Sequence, residues 1–110
     1  MNEQEILNLC KDTYKQLRLR LQNIAEDMPL RDKIKLLFDT VDGKAHINQS
    51  SPRYASYDGY VDSYTIAGSI SADYAAGDFN RLIEDLTMAI YRNNGGTQIN
   101  YTPNLIKQLQ

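Results

Sequence analysis

Leu7, Cys10, Tyr14, Leu17, Leu21, Ile24 and Met28 recur at alternating spacings of three and four residues. That is the seam of a helix packed along one side. Asn2 stands where an N-cap belongs, and Glu3 and Glu5 lie where the helix dipole favours negative charge. The pattern predicts a helix over 3–26. Pro29 disfavours helical backbone at Met28 and suits the opening of a new helix. Leu30, Ile34, Leu37, Phe38 and Val41 then repeat at helical spacing as far as Gly43, a C-terminal cap, which predicts a second helix over 30–42. So short a link makes the two a helical hairpin. The second helix is the shorter, so part of the first needs another partner.

Beyond Gly43 the periodicity breaks. Ser50-Ser51-Pro52 and Asp58-Gly59 mark loop. From Tyr60 to Ile70, Tyr60, Tyr64, Ile66 and Ile70 occupy even positions, the alternation of a half-buried strand. The same stretch threads as helix through Tyr57, Val61, Tyr64 and Gly68. Helical spacing returns with Ala72, Ala76, Phe79, Leu82, Ile83, Leu86, Ala89 and Ile90. This third helix starts either at Asp78 after Gly77, or from Ser71 with Gly77 tolerated inside it, and it ends before Asn93-Asn94-Gly95-Gly96. Thr102-Pro103 opens a short fourth helix carrying Leu105, Ile106 and Leu109. The expected fold is mainly α: a helical hairpin, a third long helix and a short C-terminal helix, with a Tyr-rich strand or loop region at 44–70. The alternative is α+β, with a small hairpin in that region.

Composition narrows the class. The 110 residues are 42% hydrophobic and 24% charged, as in soluble domains, and one domain over 1–110 is expected. No apolar run approaches the ~18 residues that would span a bilayer. The start, Met1-Asn2-Glu3-Gln4-Glu5, does not read as a signal peptide, so a cytoplasmic protein is expected. Net charge is −2, which gives no basic field to gather nucleic acid. Residues 1–55 carry nine basic and eight acidic side chains, residues 56–110 three and six. A solvated acidic face accounts for that asymmetry.

The chemistry-bearing residues are sparse. His46 is the only histidine and Cys10 the only cysteine. Cys10 lies on the packed seam, where a cysteine is normally a small hydrophobe and not a nucleophile. Asp39-Thr40-Val41-Asp42-Gly43 lacks the rest of a calcium loop, and Asp58 with Asp62 reads as solvated. Gly68-Ser69 and Gly95-Gly96 match no phosphate-binding fingerprint. Neither a metal, a cofactor nor a catalytic set is expected. Lys11, Lys15 and Arg18 share a helical stripe that keeps the helix solvated.

Eight tyrosines stand without a tryptophan, and Tyr54, Tyr57, Tyr60, Tyr64 and Tyr74 fall within twenty-one residues. Mixed with Ser, Gly, Asp and Ala they resemble the composition of recognition surfaces. The competing reading makes them covers for a small core. Leu9 and Leu19 project off the seam and suggest contact with a second copy of the chain. The functional expectation is a small non-enzymatic binding protein acting as inhibitor, adaptor or regulator through a protein surface, with itself or another protein as partner. The alternative is a small-ligand binder that stacks a nucleotide-like molecule on Tyr54, Tyr57, Tyr60 or Tyr64 and pairs its phosphate with Arg53.

Overall fold

A reciprocal cap opens the first helix, α1 (Glu3–Gln22). The Glu5 N–H donates to Asn2 Oδ1 at 2.8 Å, and the Asn2 N–H donates to Glu5 Oε1 at 3.1 Å. Two otherwise orphaned donors are thereby satisfied. The computed structural model describes residues 1–41, 47–48, 60–61 and 77–110. Four helices lie among them: α1, α2 (Leu30–Val41), α3 (Phe79–Asn93) and α4 (Thr102–Leu109). The mainly α expectation holds.

The buried stripe of α1 is Ile6, Cys10, Thr13, Tyr14 and Leu17, whereas Leu7 and Leu21 are only half-buried. Cys10, Tyr14 and Leu17 of the expected seam are thus buried, and Leu7 and Leu21 pack against the core from its edge. Thr13 enters the core because its hydroxyl donates to the Leu9 carbonyl at 2.8 Å, leaving no unpaired polar atom. The helix stops at Gln22, four residues short of the expected end. Asn23 terminates it: its side-chain amide donates to the Leu19 carbonyl at 2.9 Å, and its backbone N–H turns to Leu19 and Arg20. Ile24 and Met28 keep the apolar spacing and are half-buried, but they do so from the connecting loop.

Pro29 sets up α2 from just outside it, its carbonyl accepting from the Asp32 and Lys33 N–H groups. Leu37, Phe38 and Val41 form the buried side of α2. The cap expected at Gly43 lies outside the described residues. An antiparallel pair joins β1 (Ile47–Asn48) to β2 (Tyr60–Val61), with Ile47 opposite Val61 and Asn48 opposite Tyr60. The strand expected over 60–70 thus begins at its expected residue, and its remainder lies outside the described residues.

Between the two possible starts of the third helix, the structure takes the later one. Gly77 adopts φ +69° and Asp78 caps, its carboxylate accepting from the Arg81 N–H at 3.1 Å. Leu82, Ile83 and every residue from Asp85 to Tyr91 are buried. A helix buried on so much of its circumference is the centre of a bundle. Its most extensive packing is against α1, and it also meets α2 and α4. Helix α3 is therefore the further partner that α1 required. At its end Gly95, at φ +96°, donates to the Arg92 carbonyl and Gly96 donates to the Tyr91 carbonyl. These are the two crossed bonds of a glycine-terminated helix, which is why Asn94-Gly95-Gly96 breaks the chain here. The fourth helix starts at Thr102, with Tyr101 and not Thr102 at the cap position and Pro103 in the first turn.

Cys10 is fully buried, its thiol donating to the Thr87 carbonyl at 3.9 Å. Burial pushes its pKa up to about 12, with the Glu3 charge adding to the effect. The thiolate is the reactive form. A thiol reagent should therefore label the native protein far more slowly than the denatured chain; equal rates would contradict this packing. No helix among the described residues is long and apolar enough to cross a membrane.

Candidate functional site

The sequence-derived candidates divide sharply. Arg53, Tyr54, Tyr57 and Tyr64 lie outside the described residues, as does His46, and Tyr60 is placed in β2 by its pairing with Asn48. Leu9 packs half-buried against the chain's own core, while Leu19 stands 59% exposed beside Gln16, Arg20 and Asn23 around a shallow concavity of about 350 Å³. Of the basic stripe, Arg18 is engaged within α1: its Nη1 donates to the Tyr14 hydroxyl at 3.1 Å, and its guanidinium lies 5.6 Å from the ring centre.

A different site is built at the other end of the chain. Residues 97–101 form a strap running from the end of α3 to the start of α4, and two side chains of α3 hold it. Tyr91 is fully buried. Its hydroxyl accepts from the N–H groups of Gln98 and Ile99, both at 3.0 Å, and donates to Glu3 Oε2 at 2.6 Å. One phenol thus ties the first turn of α1 to a loop near the far end of the chain. From the next residue of α3, Arg92 Nη2 donates to the Asn100 carbonyl at 3.2 Å. Gly96 lies against the Tyr91 ring so closely that a Cβ there would come within 2.5 Å of it. Burial pushes the Tyr91 phenol above its ordinary pKa, and the hydrogen bond to Glu3 reinforces this while the two amides oppose it.

The strap and α4 together border an open groove of about 460 Å³. Ile99 turns inward as a buried anchor. The exposed side chains around the groove are Gln98, Asn100, Tyr101, Asn104, Lys107 and Gln108. Side-chain amides both donate and accept, Lys107 supplies the one charge of the lining, and Tyr101, 62% exposed, supplies an amphipathic ring. This is equipment for recognition by hydrogen bonding and stacking. Sequence reasoning placed a short helix from Thr102 and assigned nothing to residues 97–101. The available signal was the density of Asn and Gln around Tyr101.

Farther along α3, Asp85 Oδ2 and Arg92 Nε are buried with no hydrogen-bond partner among the described residues. The two residues are seven apart on the helix and so lie along one stripe.

Comparison with protein-family models, with curated proteins and with solved structures finds no match for the chain.

Proposed function

We propose that the protein is a small non-enzymatic binding protein that acts as an inhibitor, adaptor or regulator by holding the surface of a protein partner. One observation carries this reading: an exposed tyrosine, Tyr101, stands among amide side chains on a backbone strap that Tyr91 and Arg92 hold from below. A strap already fixed in its bound shape loses little conformational entropy when a partner docks. Tyrosine is suited to the centre of such a contact because it brings a large amphipathic area with few torsions to freeze. The neighbouring amides satisfy polar groups that the partner would otherwise leave unpaired on docking.

Replacing Tyr101 with a photo-crosslinking phenylalanine analogue and irradiating in lysate tests this reading. A discrete protein adduct is expected from position 101 and not from the same analogue at the exposed Gln22 on α1. Identical adduct patterns from both positions, or no protein adduct from position 101, would overturn it. Once a partner is in hand, Tyr101→Ala is expected to weaken binding by about 2 kcal/mol, the scale of an aromatic hot spot. Its thermal melt should stay within a few degrees of the parent, because the ring covers no core.

A further inference from the structure

We propose that Asn94 is a site of covalent modification by loss of its side-chain amide, held in check by the last turn of α3. The proposal stands apart from the binding reading above.

Of the nine asparagines, Asn94 alone is followed by glycine. The reaction is intramolecular. The Gly95 nitrogen attacks Asn94 Cγ, and the new C–N bond closes a succinimide. Nδ2 leaves as ammonia with the proton that Gly95 gives up. Water then opens the imide at either carbonyl, leaving aspartate or isoaspartate. A side chain on the following residue crowds that attack, and glycine has none. The space a Cβ would fill at Gly95 is open, with no atom beyond its chain neighbours within 4 Å.

Three features of the folded chain hold the reaction off. Ring closure needs the Gly95 nitrogen to eclipse Cβ about the Asn94 Cα–C bond. At ψ 9° it nearly eclipses the Asn94 nitrogen instead. The attacking nitrogen must also shed its proton, which it donates to the Arg92 carbonyl at 3.1 Å. Asn94 Nδ2, the leaving group, donates to the Ile90 carbonyl at 2.8 Å, which pins the side chain back along the helix. All three belong to one helical turn and are lost together when it opens, so the reaction proceeds from the opened fraction. The Tyr91 clasp bears on that opening, because Gly96 donates to the Tyr91 carbonyl and lies against its ring.

The product does not restore the turn. A carboxylate cannot donate to the Ile90 carbonyl, and it adds negative charge at the negative end of the α3 dipole. Isoaspartate also lengthens the main chain by a methylene just before Gly95 and Gly96. Modification therefore loosens the turn that leads into the strap.

The test is incubation of the full chain at mildly alkaline pH, native and in denaturant, followed by peptide mass spectrometry. An isoaspartyl methyltransferase assay identifies the isoaspartate. In denaturant, Asn94 should convert faster than any other asparagine of the chain. In the native protein it should convert more slowly by about tenfold or more, because only the opened fraction reacts. The Gly95 nitrogen is both the nucleophile and an exchanging amide. The slowing should therefore match the hydrogen-exchange protection of Gly95 to within about threefold. Asn94→Asp, the direct product, should speed exchange at Gly95, Gly96 and Gln98 while leaving the amides of α2 unchanged. If Asn94 converts no faster than other asparagines in denaturant, the site is refuted. Equal rates in native and denatured protein overturn the gate, as does a Gly95 amide that exchanges freely while Asn94 stays intact. Unchanged exchange in Asn94→Asp overturns the link from the modification to the strap.

Discussion

Replacing Tyr91 with Phe should cost about 2–4 kcal/mol of stability, although it removes a single oxygen atom. That oxygen serves three partners at once: the N–H of Gln98, the N–H of Ile99 and the carboxylate of Glu3. A buried donor left without an acceptor costs roughly 1–3 kcal/mol. Ile99 is buried and has no water to turn to, whereas Gln98 and Glu3 retain partial access to solvent. The melting temperature should fall by on the order of 10 °C. Hydrogen exchange should quicken first at the Gln98 and Ile99 amides, ahead of the core of α3. A variant that melts like the parent, with those two amides still protected, would show that the clasp does not hold the strap.

The same group carries a pH signature. Burial and the hydrogen bond to Glu3 raise the Tyr91 pKa above its ordinary value. For a raised pKa, the folded state favours the protonated form, so the stabilisation is complete below the unfolded value of about 10 and is lost as pH rises beyond it. The advantage of the parent over Tyr91→Phe should therefore be constant through neutral pH and shrink above about pH 10. Denaturant melts of the pair across that range provide the measurement. Taking the difference between the two proteins isolates Tyr91 from the other seven tyrosines and from Cys10.

The bundle was legible where local chemistry decides the outcome. Asn2, Asp78 and the Gly95-Gly96 pair mark helix ends through hydrogen bonds within a few residues, so their positions can be read from sequence. The end of α1 was not legible, because Ile24 and Met28 continue an apolar rhythm that reports burial and says nothing about helical hydrogen bonding. Thr13 and Thr87 escaped a hydrophobic pattern altogether. Each is buried by returning its hydroxyl to the carbonyl four residues back. The groove was hidden for another reason. What makes residues 97–101 a site and not a loop is the contact between Tyr91 and Glu3, 88 residues apart, together with the reach of Arg92 to Asn100. No spacing rule within one sequence anticipates either. The tyrosines of the 54–64 segment drew attention by their density, whereas the exposed aromatic of the described structure, Tyr101, stood alone among amides and drew none.

Gly96→Ala should be the costliest single methyl that can be added near the groove, at about 3 kcal/mol, the upper end of what overpacking usually costs. The cause is contact and not backbone strain. Gly96 does not occupy the left-handed region, but its Cβ would stand 2.5 Å from Cε1 and Cζ of the Tyr91 ring. Ring atoms can usually slide away from a new methyl. This ring is fixed at its far end by three hydrogen bonds, so moving it breaks the clasp as well. The neighbouring Gly95 provides the control. It is left-handed at φ +96° with open space around the missing side chain, so Gly95→Ala should cost only the backbone term, about 1–2 kcal/mol. A double-mutant cycle then separates the two causes. In a Tyr91→Leu background the ring is gone, and adding Gly96→Ala should cost well under 1 kcal/mol further. The Gly95→Ala cost should be the same in either background. If Gly96→Ala remains as damaging without the ring as with it, the close approach of strap and phenol is not what positions residues 97–101, and the groove needs another foundation.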